Sequence, residues 1–303
     1  MKKILVIGSI NMDFVIDVEH MPQKGETVLS DNLSWVPGGK GANQAYAVGK
    51  LGGDVTMLGA VGDDAYGKVL LDNLQGVGVH TEYLRVVKGG QTGCAFISVD
   101  QNGENSIIVV SGENSKLGTD YIDLHMDLIR RSDIVVFQLE IPVATVVYAA
   151  KKAKELGKTV ILDPAPARKD LPEELFRYVD MIKPNEVELD TLVGSSGSEF
   201  SEEHLRDGAD QLLQKGVGCV LVTLGGNGVY LRSKRDEQRF FTHHTAKPVD
   251  TTAAGDTFIG GFVAGLASGL DEAEAIAQGQ RAAAWSVTKP GAQTSIPHLH
   301  ELF

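Results

Sequence analysis

The chain of 303 residues is poor in cysteine and in basic residues, and it lacks long apolar runs. Cys94 and Cys219 are its two cysteines, far apart and without metal-ligand spacing, so the sequence predicts neither a disulfide framework nor a zinc site. Lys and Arg number 28 against 40 Asp and Glu, and the formal charge of −12 argues against a nucleic-acid-binding surface. The cysteine usage fits a reducing compartment, and we expect a cytoplasmic protein.

No membrane-spanning segment is predicted. The longest stretches without charge, 216–231 and 257–270, are shorter than the roughly 20 apolar residues that cross a bilayer, and glycines interrupt both. The apolar run at 4–7 is too short for a signal peptide. The chain does contain 43% apolar and 22% charged residues, which is typical of a globular protein with a sizeable core.

Short apolar runs alternate with longer amphipathic segments along most of the chain. The runs predict buried strands at 4–7, 55–58, 134–137, 160–162, 181–182 and 220–223. Helical patterns lie at 41–51, 66–77, 119–130, 142–156, 172–178, 186–192, 202–215, about 256–268 and 272–288. Strands separated by helices predict crossover connections and a mostly parallel central sheet covered on both faces. We therefore expect an α/β protein with three layers, α/β/α.

Two stretches, at about 13–36 and 91–110, break this alternation. Both contain short apolar runs, and Asn102-Gly103 between two of them is a strong hairpin signal. We expect these insertions to form a small antiparallel sheet. At the carboxyl ends of the core strands such a sheet would cover a ligand cleft as a lid. The prediction is one domain over 1–303, with the lid as a subdomain.

The segment from Asp250 to Phe258 carries the most chemical information. Small residues lead into a long helical run with Gly255 at its expected start, so several backbone N–H groups should point at one spot and form an anion hole. Asp256 beside such a hole is predicted to act as a general base on an alcohol that attacks a phosphoryl group held by the 253–256 amides. The alternative is an acidic first-turn residue that interacts with the helix dipole.

A second glycine loop, Gly38-Gly39-Lys40-Gly41-Ala42-Asn43, precedes the first long helical pattern. Its glycines let a ligand approach the backbone, while Lys40 and Asn43 supply hydrogen-bond donors. The spacing of Gly and Lys matches neither a Walker loop nor the dinucleotide fingerprint.

Five motifs in this order resemble the ribokinase (PfkB) family of carbohydrate kinases, from about residue 4 to residue 299. They are Gly8-Ser-Ile-Asn11-Met-Asp13, the 38–43 loop, Lys183-Pro-Asn185-Glu-Val-Glu188, Thr223-Leu-Gly225-Gly-Asn-Gly228 and Asp250-Thr-Thr-Ala-Ala-Gly255-Asp256-Thr257. The resemblance implies a ribokinase-like three-layer fold. It also implies transfer of the ATP γ-phosphoryl group to the 5-hydroxyl of D-ribose, with Ala253, Ala254, Gly255 and Asp256 at the reaction centre.

The resemblance assigns the ligand contacts by position. Residues expected around the sugar are Asn11, Asp13, Gly39, Lys40, Asn43, Glu140 and Asp256. Residues expected to contact ATP are Asn185, Thr223, Ala254, Gly255, Gly228, Gly225 and Gln280, although Gln280 stands where related kinases carry His or Asn. Glu188 is expected to hold Mg²⁺ through water, because magnesium takes few protein ligands and several waters.

A monovalent cation site is also implied, with K⁺ beside the anion hole. The residues at the matching positions are Asp250, Thr252, Ser286, Lys289, Gly291 and Ser295. Most of them are expected to contribute backbone carbonyls, so the Lys289 charge is no objection. The alternative is that 288–295 is an ordinary chain terminus.

Several functions remain open. A kinase for deoxyribose, another sugar or a nucleoside would use the same anion hole, and a catalytically silent sugar-binding regulator is the alternative outside the enzymes. The exposed edges of a small sheet can pair with a second copy, and the resemblance implies lid-to-lid contact, so we expect a homodimer.

Overall fold

The computed structural model describes residues 1–195, 201–234, 237–240 and 247–303. The strands within these ranges are β1 (Lys3–Ile7), β2 (Asn11–Asp17), β3 (Leu33–Gly38), β4 (Asp54–Leu58), β5 (Ala60–Gly62), β6 (Arg85–Val87), β7 (Gly93–Val99), β8 (Asn105–Val110), β9 (Ile134–Phe137), β10 (Thr159–Leu162), β11 (Met181–Ile182), β12 (Cys219–Thr223), β13 (Val229–Ser233) and β14 (Glu237–Phe240). The α-helices are α1 (Lys40–Lys50), α2 (Ala65–Gln75), α3 (Thr119–Leu124), α4 (Met126–Arg131), α5 (Val143–Glu155), α6 (Glu173–Tyr178), α7 (Glu186–Val193), α8 (Glu202–Lys215), α9 (Ala254–Ser268) and α10 (Glu272–Ser286).

The main sheet has the strand order β14-β13-β12-β11-β10-β9-β1-β4. All pairs from β12 to β4 are parallel, and β13 and β14 add two antiparallel pairs at one edge. The predicted α/β class and mostly parallel sheet are confirmed. Parallel strands bring their carboxyl ends to one edge of the sheet, where ligands bind in this architecture.

The core lies on both faces of this sheet, as the alternation along β1 shows. Leu5 and Ile7 pack into the layer that contains α5, α6 and α8. Ile4 and Val6 pack into the opposite layer with α1, α2 and α9. Successive side chains of a strand point to opposite faces, so a continuous apolar run is what a sheet covered on both sides requires.

The small sheet has the order β3-β2-β7-β8 and joins the two insertions predicted from sequence. Its outer pairs, β2–β3 and β7–β8, are antiparallel, whereas the central pair, β2–β7, is parallel. One rung of this sheet aligns Asn11 with Gly38 on one side and with Gly93 on the other. Both insertions therefore meet the main body at the same end of the small sheet.

Three local features differ from the sequence prediction. The helix predicted at 119–130 is divided at His125, whose N–H bonds to the Ile122 carbonyl and whose ring packs against Tyr121. The sequence predicts no strand at β5, β6, β13 or β14, and α9 begins at Ala254, one residue before the expected start at Gly255. Among the described helices, none combines the length and the apolar character needed to cross a bilayer.

Helix α9 packs closely against α1 through Gly260. A Cβ atom at Gly260 would lie 2.3 Å from the Cβ of Ala47 and 3.1 Å from the backbone of Val48. No real Cβ tolerates the first distance, so the two helix backbones approach as closely as they do only because residue 260 is glycine.

We expect Gly260→Ala to lower the free energy of unfolding by about 1–3 kcal/mol, since overpacking forces α1 and α9 apart. Urea denaturation measures this effect. Gly226→Ala is the matched control, because its added methyl has no neighbour within 4 Å. Equal stability of the two variants would contradict the packing argument.

Candidate active site

The N-terminus of α9 has an unusual backbone. Ala253 precedes it with φ of 57°, the one positive φ of a non-glycine residue in the described ranges. The Ala254 N–H donates to the Thr251 carbonyl at 3.2 Å, and the Ala253 carbonyl accepts from the Thr257 N–H at 2.8 Å. The Ala254 amide is thus used within the turn, and the next amides, those of Gly255 and Asp256, lie at the helix N-terminus, where the positive end of the helix dipole favours an anion.

A lysine faces the same point. A Cβ at Gly255 would lie 3.1 Å from Lys183 Nζ, so the ammonium group rests against the start of α9. Lys183 is buried and forms an ion pair with buried Asp163, with 3.1 Å between Nζ and Oδ1. Amides and an ammonium group together make this a site for a phosphate-like anion.

Asp256 lies directly below these amides and is buried. Its Oδ2 accepts from Asn43 Nδ2 at 3.0 Å, and its Oδ1 accepts from Gln44 Nε2 at 2.9 Å. Burial raises the pKa of Asp256, and nearby Asp163 adds to the rise, while Lys40 and the two amide donors oppose it. A buried carboxyl with increased proton affinity is what a general base for an alcohol requires.

Lys40 begins α1 on the other side of Asp256. Burial lowers the pKa of Lys40, but the carboxylates of Asp256, Asp163 and Glu140 outweigh burial and the net shift is upward. Its ammonium group therefore stays charged and offsets part of the negative charge around Asp256.

The loop before α1 is held by Glu140. Glu140 Oε2 accepts from the Lys40 backbone N–H at 3.0 Å and from Ser9 Oγ at 2.5 Å. Gly39 has φ of 86°, and a Cβ there would lie 2.7 Å from the Asn11 nitrogen, so glycine is required at this position.

Asn11 and Asp13 extend the polar region along β2. Asn11 Oδ1 accepts from Asn114 Nδ2 at 2.8 Å, which orients the Asn11 amide. Asp13 Oδ1 is buried and has no hydrogen-bond partner among the described residues. Burial, followed by the charges of Glu140 and Asp256, raises the pKa of Asp13 to about 7. An unpartnered buried carboxyl is typical of a site that binds a donor such as a hydroxyl.

A cavity of about 630 Å³ opens on the other side of Asp256. The sequence-predicted residues that line it are Lys40, Asn185, Glu188, Thr223, Gly225, Gly228, Ala253, Ala254, Gly255, Asp256 and Gln280. Phe258, Ala283 and Val287 add an apolar wall. This size suits a nucleotide.

Asn185 and Glu188 have a structural role as well as a place in the cavity wall. Asn185 Oδ1 accepts from the Glu188 N–H at 2.8 Å, and Glu188 Oε2 accepts from the Asn185 N–H at 2.7 Å. They form a capping box at the start of α7. Burial raises the pKa of Glu188, with Lys183 opposing.

The six residues predicted to hold a monovalent cation do not line this cavity. Asp250 joins the two segments that contain them, because its Oδ1 accepts from the Thr252 N–H and its Oδ2 from the Gly291 N–H, each at 2.8 Å. Ser286 and Ser295 are buried in the second segment, and Lys289 is exposed.

Three residues beside Asp256 received no role from the sequence. Lys183 lies inside a quoted motif, Gln44 directly follows the 38–43 motif, and Asp163 directly follows β10. The position of Asp163 at the carboxyl end of a parallel strand is the signal that identifies it as a candidate.

A buried carboxyl under an anion-binding helix start, at the carboxyl edge of a parallel sheet, defines an α/β phosphotransferase site. The family described as pfkB family carbohydrate kinase matches residues 1–299. A ribokinase of Haemophilus influenzae is 41% identical over 300 residues, covering 99% of this chain and 97% of that protein. A deoxyribokinase of Salmonella typhimurium is 36% identical, covering 98% of this chain and 96% of that protein.

The structural comparison agrees. The structure of Arabidopsis thaliana ribokinase complexed with ribose and ATP matches with a TM-score of 0.92 at 33% identity, over 99% of this chain and 97% of that chain. The chain therefore belongs to the pfkB family of carbohydrate kinases. The resemblance seen in its motifs is confirmed.

The buried carboxyl of Asp13 makes stability depend on pH. In the unfolded chain it ionises near its ordinary pKa of 3.8, but in the folded protein only near 7, so folding carries a penalty that grows between these values and is complete above pH 7. We expect Asp13→Asn to raise the melting temperature of the ligand-free protein more at pH 8 than at pH 5.

Thermal melts at the two pH values check this prediction. Asp31→Asn, an exposed change in the loop between β2 and β3, is the control and should shift the melting temperature little at either pH. A gain from Asp13→Asn that does not depend on pH would refute the assignment of the penalty to this carboxyl.

Proposed function

We propose that this protein is a ribokinase, which transfers the γ-phosphoryl group of ATP to the 5-hydroxyl of D-ribose and releases D-ribose 5-phosphate and ADP. One observation carries the proposal. The Asp256 carboxyl and the first amides of α9 lie between the polar region of Asn11, Asp13 and Glu140 and the large cavity. The ribokinase of Haemophilus influenzae and the Arabidopsis complex with ribose and ATP support the choice of substrates.

The sugar is assigned to the polar region. Its contacts are Asn11, Asp13, Gly39, Lys40, Asn43, Glu140 and Asp256. A furanose presents several hydroxyls that each donate and accept, so carboxylates and amides at fixed positions orient it and reject an analogue that lacks a hydroxyl. The unpartnered Asp13 Oδ1 is suited to accept one such hydroxyl.

ATP is assigned to the cavity, with contacts from Asn185, Thr223, Gly225, Gly228 and Gln280. The apolar wall near Val287 suits the adenine ring, and the α9 amides of Ala254 and Gly255 suit the phosphates. Gln280 Nε2 donates to the Phe240 carbonyl at 3.2 Å, and this bond orients the Gln280 side chain in the cavity wall.

The chemistry follows from the position of Asp256. Its carboxylate accepts the proton of the 5-hydroxyl as that oxygen attacks the γ-phosphorus, and the bond to the ADP oxygen breaks. Negative charge on the transferring oxygens is stabilised by the 253–256 amides and by Lys183, which touches Gly255.

Glu188 fits a role in Mg²⁺ binding through water. Glu188 lines the cavity with a half-buried carboxylate, and the capping box uses its Oε2. Magnesium takes oxygen ligands and keeps several waters. A Mg²⁺ ion held there would offset part of the negative charge of the phosphates.

A K⁺ site is proposed at Asp250, Thr252, Ser286, Lys289, Gly291 and Ser295, mainly through carbonyl oxygens. Asp250 ties the segment before the anion hole to the 286–291 segment, which supports this placement. A cation there would fix the geometry of the 252–256 turn.

We propose a single domain over 1–303 in which the small sheet, from about 13–36 and 91–110, acts as a lid. Lid closure would exclude water that otherwise hydrolyses ATP. A cytoplasmic location is proposed as well, because the chain has two cysteines, far apart in the sequence, and this low cysteine usage fits a reducing compartment.

Deoxyribose is the second candidate substrate, since the Salmonella typhimurium relative is a deoxyribokinase. The two sugars differ by one hydroxyl, and a site that hydrogen-bonds this hydroxyl discriminates strongly. A silent sugar-binding protein is disfavoured because Asp256, Asn185 and Glu188 are all present and placed at the cleft.

An ADP-release assay with D-ribose, 2-deoxy-D-ribose, D-fructose and adenosine, with and without KCl, tests the proposal. We expect the highest kcat/KM for D-ribose. Asp256→Asn should lower kcat by about 10² or more while ribose still binds, because the base is lost and the donors around it remain.

Asp127→Asn is the surface control, since Asp127 pairs only with Arg130 on α4 in the described contacts, and it should keep full activity. Absence of ADP release with every sugar would refute the kinase. Near-normal turnover by Asp256→Asn would refute the assigned base.

The exposed apolar side chains of the small sheet support the proposed homodimer. Trp35, Phe96, Ile108 and Val110 are exposed on one face, and Ile107 and Val109 are exposed on the other. β8 is also an edge strand with free backbone groups. A second copy of the lid would cover both the apolar side chains and this edge.

We expect the protein to be a dimer at micromolar concentration and Ile108→Lys to be a monomer, because a charge at a 68% exposed apolar position opposes burial in a dimer. Light scattering measures both. Leu124→Lys, at a 73% exposed position on α3, is the control and should remain dimeric. A monomeric native protein would overturn the proposal.

A further inference from the structure

A glutamine amide lies between two buried carboxylates beside the reaction centre. Gln44 on α1 is fully buried, and its Nε2 donates to Asp256 Oδ1 at 2.9 Å and to Asp163 Oδ2 at 2.8 Å. Asp256 and Asp163 stand on different elements, α9 and the segment after β10. A single amide nitrogen therefore connects them.

The orientation of this amide is determined by its partners. Both carboxylates only accept hydrogen bonds when ionised, so the nitrogen must face them and its two hydrogens are both used. Gln44 Oε1 accepts from Gln138 Nε2 at 2.6 Å. Gln138 is in turn held against Gly8, where an added Cβ would lie 1.9 Å from its Oε1. Gly8, in the first motif, thus leaves room for Gln138, whose hydrogen bond fixes the orientation of the Gln44 amide.

The unit formed by Asp256, Gln44 and Asp163 is surrounded by four further charged groups, Lys40, Asp13, Lys183 and Glu188. Lys40 at the start of α1 and Asp13 on β2 both act on Asp256. Lys183 pairs with Asp163, and Asp163 itself acts on Asp256. Two buried carboxylates close together tend to share one proton, which would leave the base protonated part of the time. Amide hydrogens do not titrate, so a glutamine in between donates to both ionised carboxylates and passes no proton.

We propose that Gln44 is a positioning residue for the phosphoryl transfer, keeping Asp256 separate from Asp163, unprotonated and fixed in direction. The role rests on the proposed function, since it acts through Asp256. Gln44 is fully buried, is absent from the wall of the 630 Å³ cavity and meets the site through its hydrogen bond to Asp256, so its effect falls on the chemical step rather than on substrate binding.

The pH dependence of kcat and KM for Gln44→Glu and Gln44→Met tests this role. Glutamate introduces a titratable group between the two carboxylates, and methionine removes the donor at similar length. In each variant we expect the acid limb of the kcat profile to move up by about one pH unit or more, because the charged form of Asp256 loses its donor. KM for ribose and for ATP should change less than about threefold.

Gln278→Met is the matched control, because Gln278 is also a buried glutamine and its side chain donates only to the Gly261 carbonyl among the described contacts. It should keep the native pH profile. Gln44→Met carries the test if Gln44→Glu does not fold, with thermal melts to confirm folding of each variant.

A loss of kcat that is uniform with pH, or a native profile in the Gln44 variants, would overturn the positioning role. Both results require an active native protein. Failure of the native protein to phosphorylate any sugar would count against the proposed function instead, so the two failures are distinguishable.

Discussion

Burial of the Asp256 carboxylate at the contact of α1 and α9 is the constraint on which the rest of the site depends. Removing an ionised carboxylate from water costs several kcal/mol unless donors and opposite charge replace the water. Asn43, Gln44 and Lys40, all on the first two turns of α1, supply that replacement. The close contact of α1 and α9 at Gly260 therefore matters for the proposed catalysis, because it sets the distance between the donors on α1 and the Asp256 carboxylate on α9.

The same constraint explains why so much of the surrounding polar network is internal. Glu140 holds the start of α1 through the Lys40 amide, and Asn114 holds Asn11. Each of these side chains forms a hydrogen bond with another residue of the site. These bonds fix the positions of the side chains before a ligand binds. Such preorganisation reduces the reorganisation needed when charge develops on the transferring group.

The sequence predicted the core strands, most helices and the place of Asp256, because these depend on local periodicity and on a short run of small residues. It did not predict the Gln44 bridge, since Asp163 and Asp256 lie 119 and 212 positions from Gln44 and only the fold brings them together. The break at His125 depends on ring packing with Tyr121, which local periodicity does not show. The apolar run of β13 has only three residues, 229–231, and β14 is a polar edge strand, so neither strand had a clear pattern.

The parallel pairing of β2 with β7 has a mechanical consequence. It joins the two chain insertions into one sheet, and the end of this sheet nearest the main body, its base, is the row of paired residues Asn11, Gly38 and Gly93. If the small sheet tilts as the proposed lid, displacement would grow with distance from its base, over about 3.3 Å per residue along a strand. Asn11 would then lie close to the pivot, Asp13 would move a short distance, and the far end near Asp17 would move the most.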